Sequence, residues 1–143
     1  MAQEYPSVLH RWFDEVWNQK NTDTIGELIA EDAILHGLSQ PGAEPLRGPK
    51  EFQKFHEIFL TAFPDVHVDL DEVVIEGDKI AGHFTVTATQ KGDFMNMPRS
   101  DKKVKFAGSG VCRMKDGKFA EVWNVIDMQK VQYDLDPNTP DVQ

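Results

Sequence analysis

One stretch of the chain, residues 115–127, constrains the fold more than any other. It begins with Asp116-Gly117, which supplies the positive φ angles of a tight hairpin turn, and then runs through mostly apolar residues to a single carboxylate, Asp127. Because side chains alternate across a strand, residues 119, 121, 123, 125 and 127 share one face and residues 120, 122, 124 and 126 share the other. Neither face is polar throughout, which predicts a strand covered on both sides.

The order of the other elements predicts the fold class. Apolar residues recur at helical spacing at residues 5–19, 50–63 and 128–135, and Asn21-Thr22-Asp23-Thr24 offers caps for a further short helix. A short extended segment ends at Gly37, and a loop follows it. After Pro64 the period changes to two, which predicts strands at residues 66–75, 80–89, 104–114 and 118–126. Helices placed ahead of hairpin-linked strands predict an α+β fold whose curved antiparallel sheet wraps around the N-terminal helices.

Length and charge limit the classes of function. We expect a single domain over residues 1–143, with its core at about residues 5–135 and a flexible tail at residues 136–143. Twenty-four acidic and fifteen basic residues give a net charge of −9, which disfavours nucleic acid and anionic membranes as partners. One cysteine, no signal-peptide pattern and no apolar run of membrane-spanning length favour a cytoplasmic location.

Asp127 is the first candidate for a catalytic residue. At the end of an apolar strand, beside Trp123 and Val125, its carboxyl would face apolar walls that disfavour the charged form, as suits a group that exchanges protons. Alternatively, Asp127 caps the helix that follows, where a carboxylate satisfies unpaired N–H groups. The two roles predict opposite effects on the acidity of the carboxyl.

A series of short fragments, none of them specific alone, carries a family resemblance through its order and spacing. The fragments are Trp12-Phe13, Ala33-Ile34-Leu35-His36-Gly37, Gly48-Pro49, Phe63-Pro64-Asp65, Gly92-Asp93-Phe94, Asp116-Gly117-Lys118 and Glu121-x-Trp123-x-x-x-Asp127. Over about residues 5–135, the chain resembles the SnoaL-like polyketide cyclases of the nuclear-transport-factor-two-like superfamily. The resemblance implies a cone-shaped α+β barrel.

The resemblance also implies a chemistry. Enzymes of this family close rings by intramolecular aldol condensation without a metal or cofactor, and Asp127 matches their acid/base residue. His36 matches a recurring histidine and would stabilise an enolate or alkoxide oxygen, although a hydrogen-bonded structural role is the alternative. Two positions depart from the pattern, because Arg113 and Gln90 stand where the cyclases have histidine.

An apolar pocket is expected to hold a small hydrophobic carbonyl compound. Its candidate wall residues are Trp12, Phe13, Phe55, Phe59, Phe94, Met97, Arg113 and Trp123. Arg113 would neutralise an anionic substrate if it points inward and is a surface charge if it points outward. No metal is expected, because His67, Asp69 and Asp71 are explained equally well by an exposed strand.

Three functions therefore remain open. The chain is a cyclase or another enzyme on this fold, such as an isomerase, hydrolase or dehydratase. Alternatively, it is a non-catalytic protein that binds a small apolar ligand and needs no ionisable residue in its pocket. The third alternative is an interaction module that uses the outer sheet face. In each case the apolar outer face of residues 104–126 predicts a homodimer or higher homo-oligomer.

Overall fold

A computed structural model of the protein describes residues 4–143, with side chains from Val8 onward. The helices are α1 (Glu4–Arg11), a π-helix (Trp12–Asn18), α2 (Asp23–Leu28), α3 (Gly48–Ala62) and α4 (Met128–Leu135). The strands are β1 (Ile29–His36), β2 (Leu46–Arg47), β3 (His67–Glu76), β4 (Lys79–Thr89), β5 (Lys103–Lys115) and β6 (Lys118–Ile126). No helix within residues 4–143 combines the length and the apolar character needed to cross a membrane.

The six strands form one curved open sheet in the order β2-β1-β6-β5-β4-β3. All neighbouring strands are antiparallel except β1 and β6, which run parallel. The predicted α+β fold is thus confirmed. One edge of β1 pairs with β2 before the chain enters α3, and the other edge pairs only with the last strand, β6, which runs in the same direction as β1. This pairing brings the end of β1 beside the middle of β6.

A β-bulge at Ala120 decides which side chains of β6 face inward. Arg113 pairs with Glu121, whereas the next residue of β5, Met114, pairs with Phe119, so that Ala120 is the extra residue. Phe119 therefore lies on the same side as the cavity-facing residues Val122, Asn124 and Ile126. The alternation predicted from the turn placed Phe119 with residues 121, 123 and 125 and was wrong at this point, because a one-residue shift exchanges the two faces.

The inner face of the sheet packs against the helices in two apolar clusters. One cluster surrounds Leu9, Val16 and Phe52, and the other surrounds Phe63 and Phe84. A cavity lies between the packed side chains of these clusters.

The first residues of the C-terminal tail, which the sequence predicts to be flexible, contact Lys102. The Lys102 ammonium donates hydrogen bonds to the carbonyl oxygens of Asp136 at 2.6 Å and Thr139 at 2.7 Å. Lys102 itself is largely covered, with 13% of its side chain exposed. The first residues of the tail are therefore attached to the end of the sheet next to β5.

Candidate functional site

An interior cavity of about 320 Å³ opens between the sheet and the helices. This volume is typical of a site for a small organic molecule. Phenylalanine and tryptophan side chains from the π-helix, α3 and the strands form most of its wall. Among the described lining residues, none has an acidic or basic side chain, and the polar side-chain groups are the Ser39 hydroxyl, the Asn124 amide, the Cys112 thiol and the indole N–H groups of Trp12 and Trp17, which only donate. The cavity can bind a neutral apolar molecule, but its wall offers no carboxylate, imidazole or amine for proton transfer.

The π-helix places three aromatic residues along this wall. Trp12, Phe13 and Trp17 all line the cavity, and Trp12 and Trp17 are about one π-helical turn apart. Trp12 contacts Phe119 edge to face and Phe52 at a tilted angle. Trp17 contacts Phe55 and Phe59 of α3, both edge to face. The sequence predicted one continuous amphipathic helix here, since spacing alone does not distinguish the two helix types.

A buried histidine supports the π-helix from α3. The Nε2–H group of His56 donates a hydrogen bond to the carbonyl oxygen of Val16 at 2.7 Å, and the ring of Trp17 packs against its ring. Its Nδ1 atom has no hydrogen-bond partner within residues 4–143. Burial lowers the pKa of His56, because a charged imidazolium loses its hydration there.

We expect His56 to make stability depend on pH. Its folded pKa lies below the ordinary value of 6.5, so the stabilisation is complete above that pH and decreases as the pH falls from 6.5 toward the folded pKa. The His56→Gln variant can still donate to Val16 but takes up no proton, so its urea unfolding should change less over this range. The exposed His67→Gln variant is the control. An unchanged pH slope in His56→Gln would contradict this assignment.

Asn124 is a polar residue of the cavity wall on β6 that sequence reasoning missed. Its Nδ2 group donates a hydrogen bond to the carbonyl oxygen of His36 at 3.1 Å, across the parallel β1–β6 pair. Gly37 follows directly with a φ of +86°, and a Cβ there would lie 1.9 Å from the Asn124 carbonyl oxygen. The signal that could have revealed Asn124 is a single amide among the apolar residues 120, 122 and 126 of its face.

Cys112 also lines the cavity, opposite Val122 on the neighbouring strand. Its side chain is buried, and burial raises the pKa of the thiol to about 12. The thiol therefore stays protonated at neutral pH, which makes it a poor nucleophile and a poor base.

The predicted environment of Asp127 is wrong. Asp127 is exposed, it is not part of the cavity wall, and its Oδ1 atom accepts a hydrogen bond from the backbone N–H of Lys130 at 3.0 Å. It is the N-cap of α4. The alternative considered from the sequence, a capping carboxylate, describes the observed geometry.

Replacing Asp127 should therefore affect the helix and leave ligand binding unchanged. We expect Asp127→Ala to lower the free energy of unfolding by about 1 kcal/mol, because the Lys130 N–H loses its partner. Asp127→Asn should cost much less, since asparagine caps helices as well as aspartate does. Chemical denaturation measures both. A loss of ligand affinity in Asp127→Asn would show that the carboxylate reaches the ligand.

Three further candidates lie on the outer face of the sheet. The Nε2 atom of His36 contacts Oε2 of Glu121 at 2.7 Å, and Arg113 lies 3.5 Å from the other oxygen of Glu121. The hydrogen bond to His36, with a smaller contribution from Arg113, lowers the pKa of Glu121. Trp123 stacks on His36 with 5.6 Å between ring centroids. The expected pocket positions of Arg113 and Trp123 are wrong, as is the placement of His36 near a substrate, because the registers of β1, β5 and β6 place these side chains on the outer face of the sheet.

The connection between β4 and β5 contributes Phe94 and Met95 to the cavity wall. Phe94 was predicted to line the cavity, whereas Met97, which was also predicted to do so, does not. Buried Gln90 organises this connection, since its amide donates to the Met97 carbonyl oxygen at 2.9 Å and accepts from Ser100 at 2.6 Å. The remaining predicted residues, Trp12, Phe13, Phe55, Phe59 and Phe94, line the cavity.

The acidic face of β3 does not gather around a common point. His67 contacts Asp69 at 3.1 Å, whereas Asp71 accepts a hydrogen bond from Thr85 on β4 at 2.7 Å. Among the side chains that the structure describes, from Val8 onward, no group of three or more histidine, cysteine or acidic residues is arranged to hold a metal ion.

A family profile and solved structures of known proteins both match this chain over most of its length. The profile of the family described as SnoaL-like polyketide cyclase matches residues 7–135. TsrD from Streptomyces laurentii has a similar structure, with a TM-score of 0.84 and 18% identity over 95% of this chain and 97% of that chain. A proposed SnoaL-like polyketide cyclase from Jannaschia sp. CCS1 has a TM-score of 0.83 and 21% identity over 95% and 94% of the two chains.

AclR from Streptomyces galilaeus, a proposed hydroxylase, has a TM-score of 0.78 and 26% identity, covering 92% of this chain and 94% of that chain. No curated protein matches the sequence.

Proposed function

Because the chain belongs to the SnoaL-like polyketide cyclase family, we propose that it binds a small, neutral, mostly apolar molecule in its cavity without an acid or base of its own in contact with that molecule. The observation that carries this proposal is the composition of the cavity wall, which is aromatic and aliphatic and has no acidic or basic residue among those described. An anionic or cationic ligand would lose its hydration there without gaining a charged partner, so the wall selects against ions.

Cys112 provides a direct test of binding. It is the only cysteine of the chain, and it lies in the cavity wall, where burial keeps its thiol protonated. At a pH near the ordinary thiol pKa, about 8.5, iodoacetamide therefore modifies Cys112 only when the cavity opens and exposes the thiol, so the slow rate of modification reports on that opening. Saturation with naphthalene should slow this modification, and isothermal titration calorimetry should measure the affinity. If naphthalene neither protects Cys112 nor gives a heat of binding, the proposed function is wrong.

A matched pair of variants locates the bound molecule. Val122→Phe adds volume inside the cavity, whereas Val74→Phe makes the same change at a position of β3 whose side chain is 66% exposed. We expect Val122→Phe to weaken naphthalene binding and Val74→Phe to leave it unchanged. Thermal unfolding of both variants checks that the fold is retained.

Ring closure by confinement is the second candidate function, and family membership favours it. A cavity that holds both ends of one flexible molecule removes much of the entropic barrier to their reaction, even where no side chain transfers a proton. Incubation with the methyl ester of a linear poly-β-ketone, followed by chromatography, would detect a cyclic product. A binding protein without this activity would show protection of Cys112 but no acceleration of ring closure.

The outer face of the sheet supports a homodimer as the assembled form. Val111, Trp123 and Val125 are 40%, 39% and 73% exposed there. Arg113 and Glu121 beside them neutralise each other, so two copies of a chain with a net charge of −9 can approach at this face with little repulsion. A second copy of the chain is therefore the occupant that we propose for this face.

Trp123→Glu should disrupt this dimer. A charge at the centre of the apolar face would be buried without a partner, and loss of a central tryptophan contact commonly weakens an interface tenfold or more, by about 2 kcal/mol. Analytical ultracentrifugation measures the dissociation. Ile58→Glu, at an exposed apolar position of α3, is the control and should leave the oligomeric state unchanged. A monomeric wild-type protein would contradict the proposal.

A further inference from the structure

The amide of Asn124 has a defined orientation in the cavity wall. Its side chain lies between β1 and β5, the two neighbours of β6. The His36 carbonyl oxygen on the β1 side can only accept a hydrogen bond, so the amide must place its NH₂ group there. The Oδ1 atom therefore points toward β5, where it lies 3.3 Å from the position of a Cβ on Gly110.

This Oδ1 atom is an acceptor without a donor. None of the side chains described from Val8 onward, and no backbone N–H of the described residues, donates a hydrogen bond to it, although the Nδ2 group of the same amide is engaged. Water in the unliganded cavity would pair with this acceptor, and a bound molecule that displaces the water leaves the acceptor unpaired unless the molecule supplies a donor. Because Gly110 has no side chain, space is left beside Oδ1 for such a group.

The other polar groups of the wall do not provide an equivalent acceptor. The Ser39 hydroxyl donates to the Glu44 carbonyl oxygen at 2.7 Å, in the exposed loop between β1 and β2. The Cys112 thiol is a weak hydrogen-bonding group, and burial keeps it protonated. Among the side-chain groups of the described wall, Asn124 Oδ1 is therefore the strongest acceptor available to a bound molecule.

We propose that the natural ligand carries a hydroxyl group on an apolar body and donates a hydrogen bond from that hydroxyl to Asn124 Oδ1. This inference rests on the proposed binding function and specifies its ligand class. A phenol or an alicyclic alcohol meets the requirement. A ketone or an ether of the same size does not, because its oxygen can only accept. A carboxylate is excluded as well, since it has no proton to donate and finds no cation in the wall.

The test compares three probes of similar shape by isothermal titration calorimetry at pH 7. These are naphthalene, 2-naphthol and 2-methoxynaphthalene, of which only 2-naphthol has a donor. The ratio of the affinity for 2-naphthol to the affinity for naphthalene is measured in the wild type and in Asn124→Leu. Comparing the two ratios cancels the difference in hydration between the probes, as in a double-mutant cycle. We expect this ratio to fall about fivefold in Asn124→Leu, the effect of one neutral hydrogen bond.

Gly110→Ala is the second variant, and it keeps the amide. Its new methyl group would occupy the space beside Oδ1, so it should lower the 2-naphthol ratio as Asn124→Leu does while preserving the bond between Asn124 and His36. Asn138→Leu, an exposed asparagine in the C-terminal tail, is the control for the substitution itself. The ratio of 2-methoxynaphthalene to naphthalene should be the same in all four proteins.

The outcomes separate the two proposals. If naphthalene binds but the 2-naphthol ratio is the same in the wild type, Asn124→Leu and Gly110→Ala, the hydroxyl assignment is overturned and the binding function stands. If 2-methoxynaphthalene shows the same dependence on Asn124 as 2-naphthol, the amide acts as a donor and the assignment is also overturned. If none of the three probes binds the wild type, both proposals fail.

Discussion

Replacing Gly37 with alanine is expected to lower the free energy of unfolding by about 4 kcal/mol. Two effects add. A φ of +86° is strained for any residue with a Cβ, and that Cβ would lie 1.9 Å from the carbonyl oxygen and 2.8 Å from the carbonyl carbon of Asn124. These are backbone atoms of a paired strand, so they cannot move aside as the end of a flexible side chain can.

Gly42→Ala is the matched control for this change. Gly42 has nearly the same φ, +85°, but no atom lies within 4 Å of its hypothetical Cβ. It should lose only the conformational term, about 1 kcal/mol. Urea unfolding of the two variants therefore isolates the contact with Asn124. Equal losses would mean that β1 and β6 are not held at the described distance, and the position of Asn124 in the cavity wall would then need revision.

Asp134→Ala is expected to lower the free energy of unfolding by about 3 kcal/mol. Asp134 is 2% exposed, and its two oxygens accept hydrogen bonds from the backbone N–H of Lys105 at 2.9 Å and from the Lys130 ammonium at 2.6 Å. Alanine would leave the Lys105 N–H without this partner and would remove one hydrogen-bonded attachment between α4 and β5, although Lys130 would still donate to the Lys105 carbonyl oxygen at 3.0 Å.

Two variants bracket this effect in thermal and chemical unfolding. Asp134→Asn keeps an acceptor for Lys105 but loses the charge, so it should cost less than Asp134→Ala. Asp69→Ala, at a carboxylate that is 65% exposed and pairs with His67, should change stability by less than about 1 kcal/mol. If Asp134→Ala were as mild as Asp69→Ala, α4 would be held chiefly by its apolar contacts.

The elements of the fold could be predicted from local pattern. The Asp116-Gly117 turn, the change from helical to alternating period after Pro64, and the apolar spacing of α3 all produced the elements where they were expected. These signals are local, because a turn or an amphipathic face depends on residues close in the chain. The aromatic wall followed from the same patterns, since apolar stripes on the helices must face the sheet.

The site itself could not be predicted with the same success. Both faces of β6 are largely apolar, so nothing in its composition shows which one is inside. The bulge at Ala120 has no sequence signal, and it exchanges the faces for Phe119. Asp127 satisfies the same local pattern as a strand-terminal base and as a helix cap, and only the path of α4 makes it the cap.

By itself, the sequence determined the helices, the strands, the fold class and the presence of an apolar interior, because each depends on periodicity and on turns between neighbouring residues. Tertiary structure alone decided that Asn124 enters the cavity while His36 and Arg113 remain outside it. The physical reason is that the inward direction of a side chain is set by pairing between β1, β5 and β6, whose residues are distant in the chain.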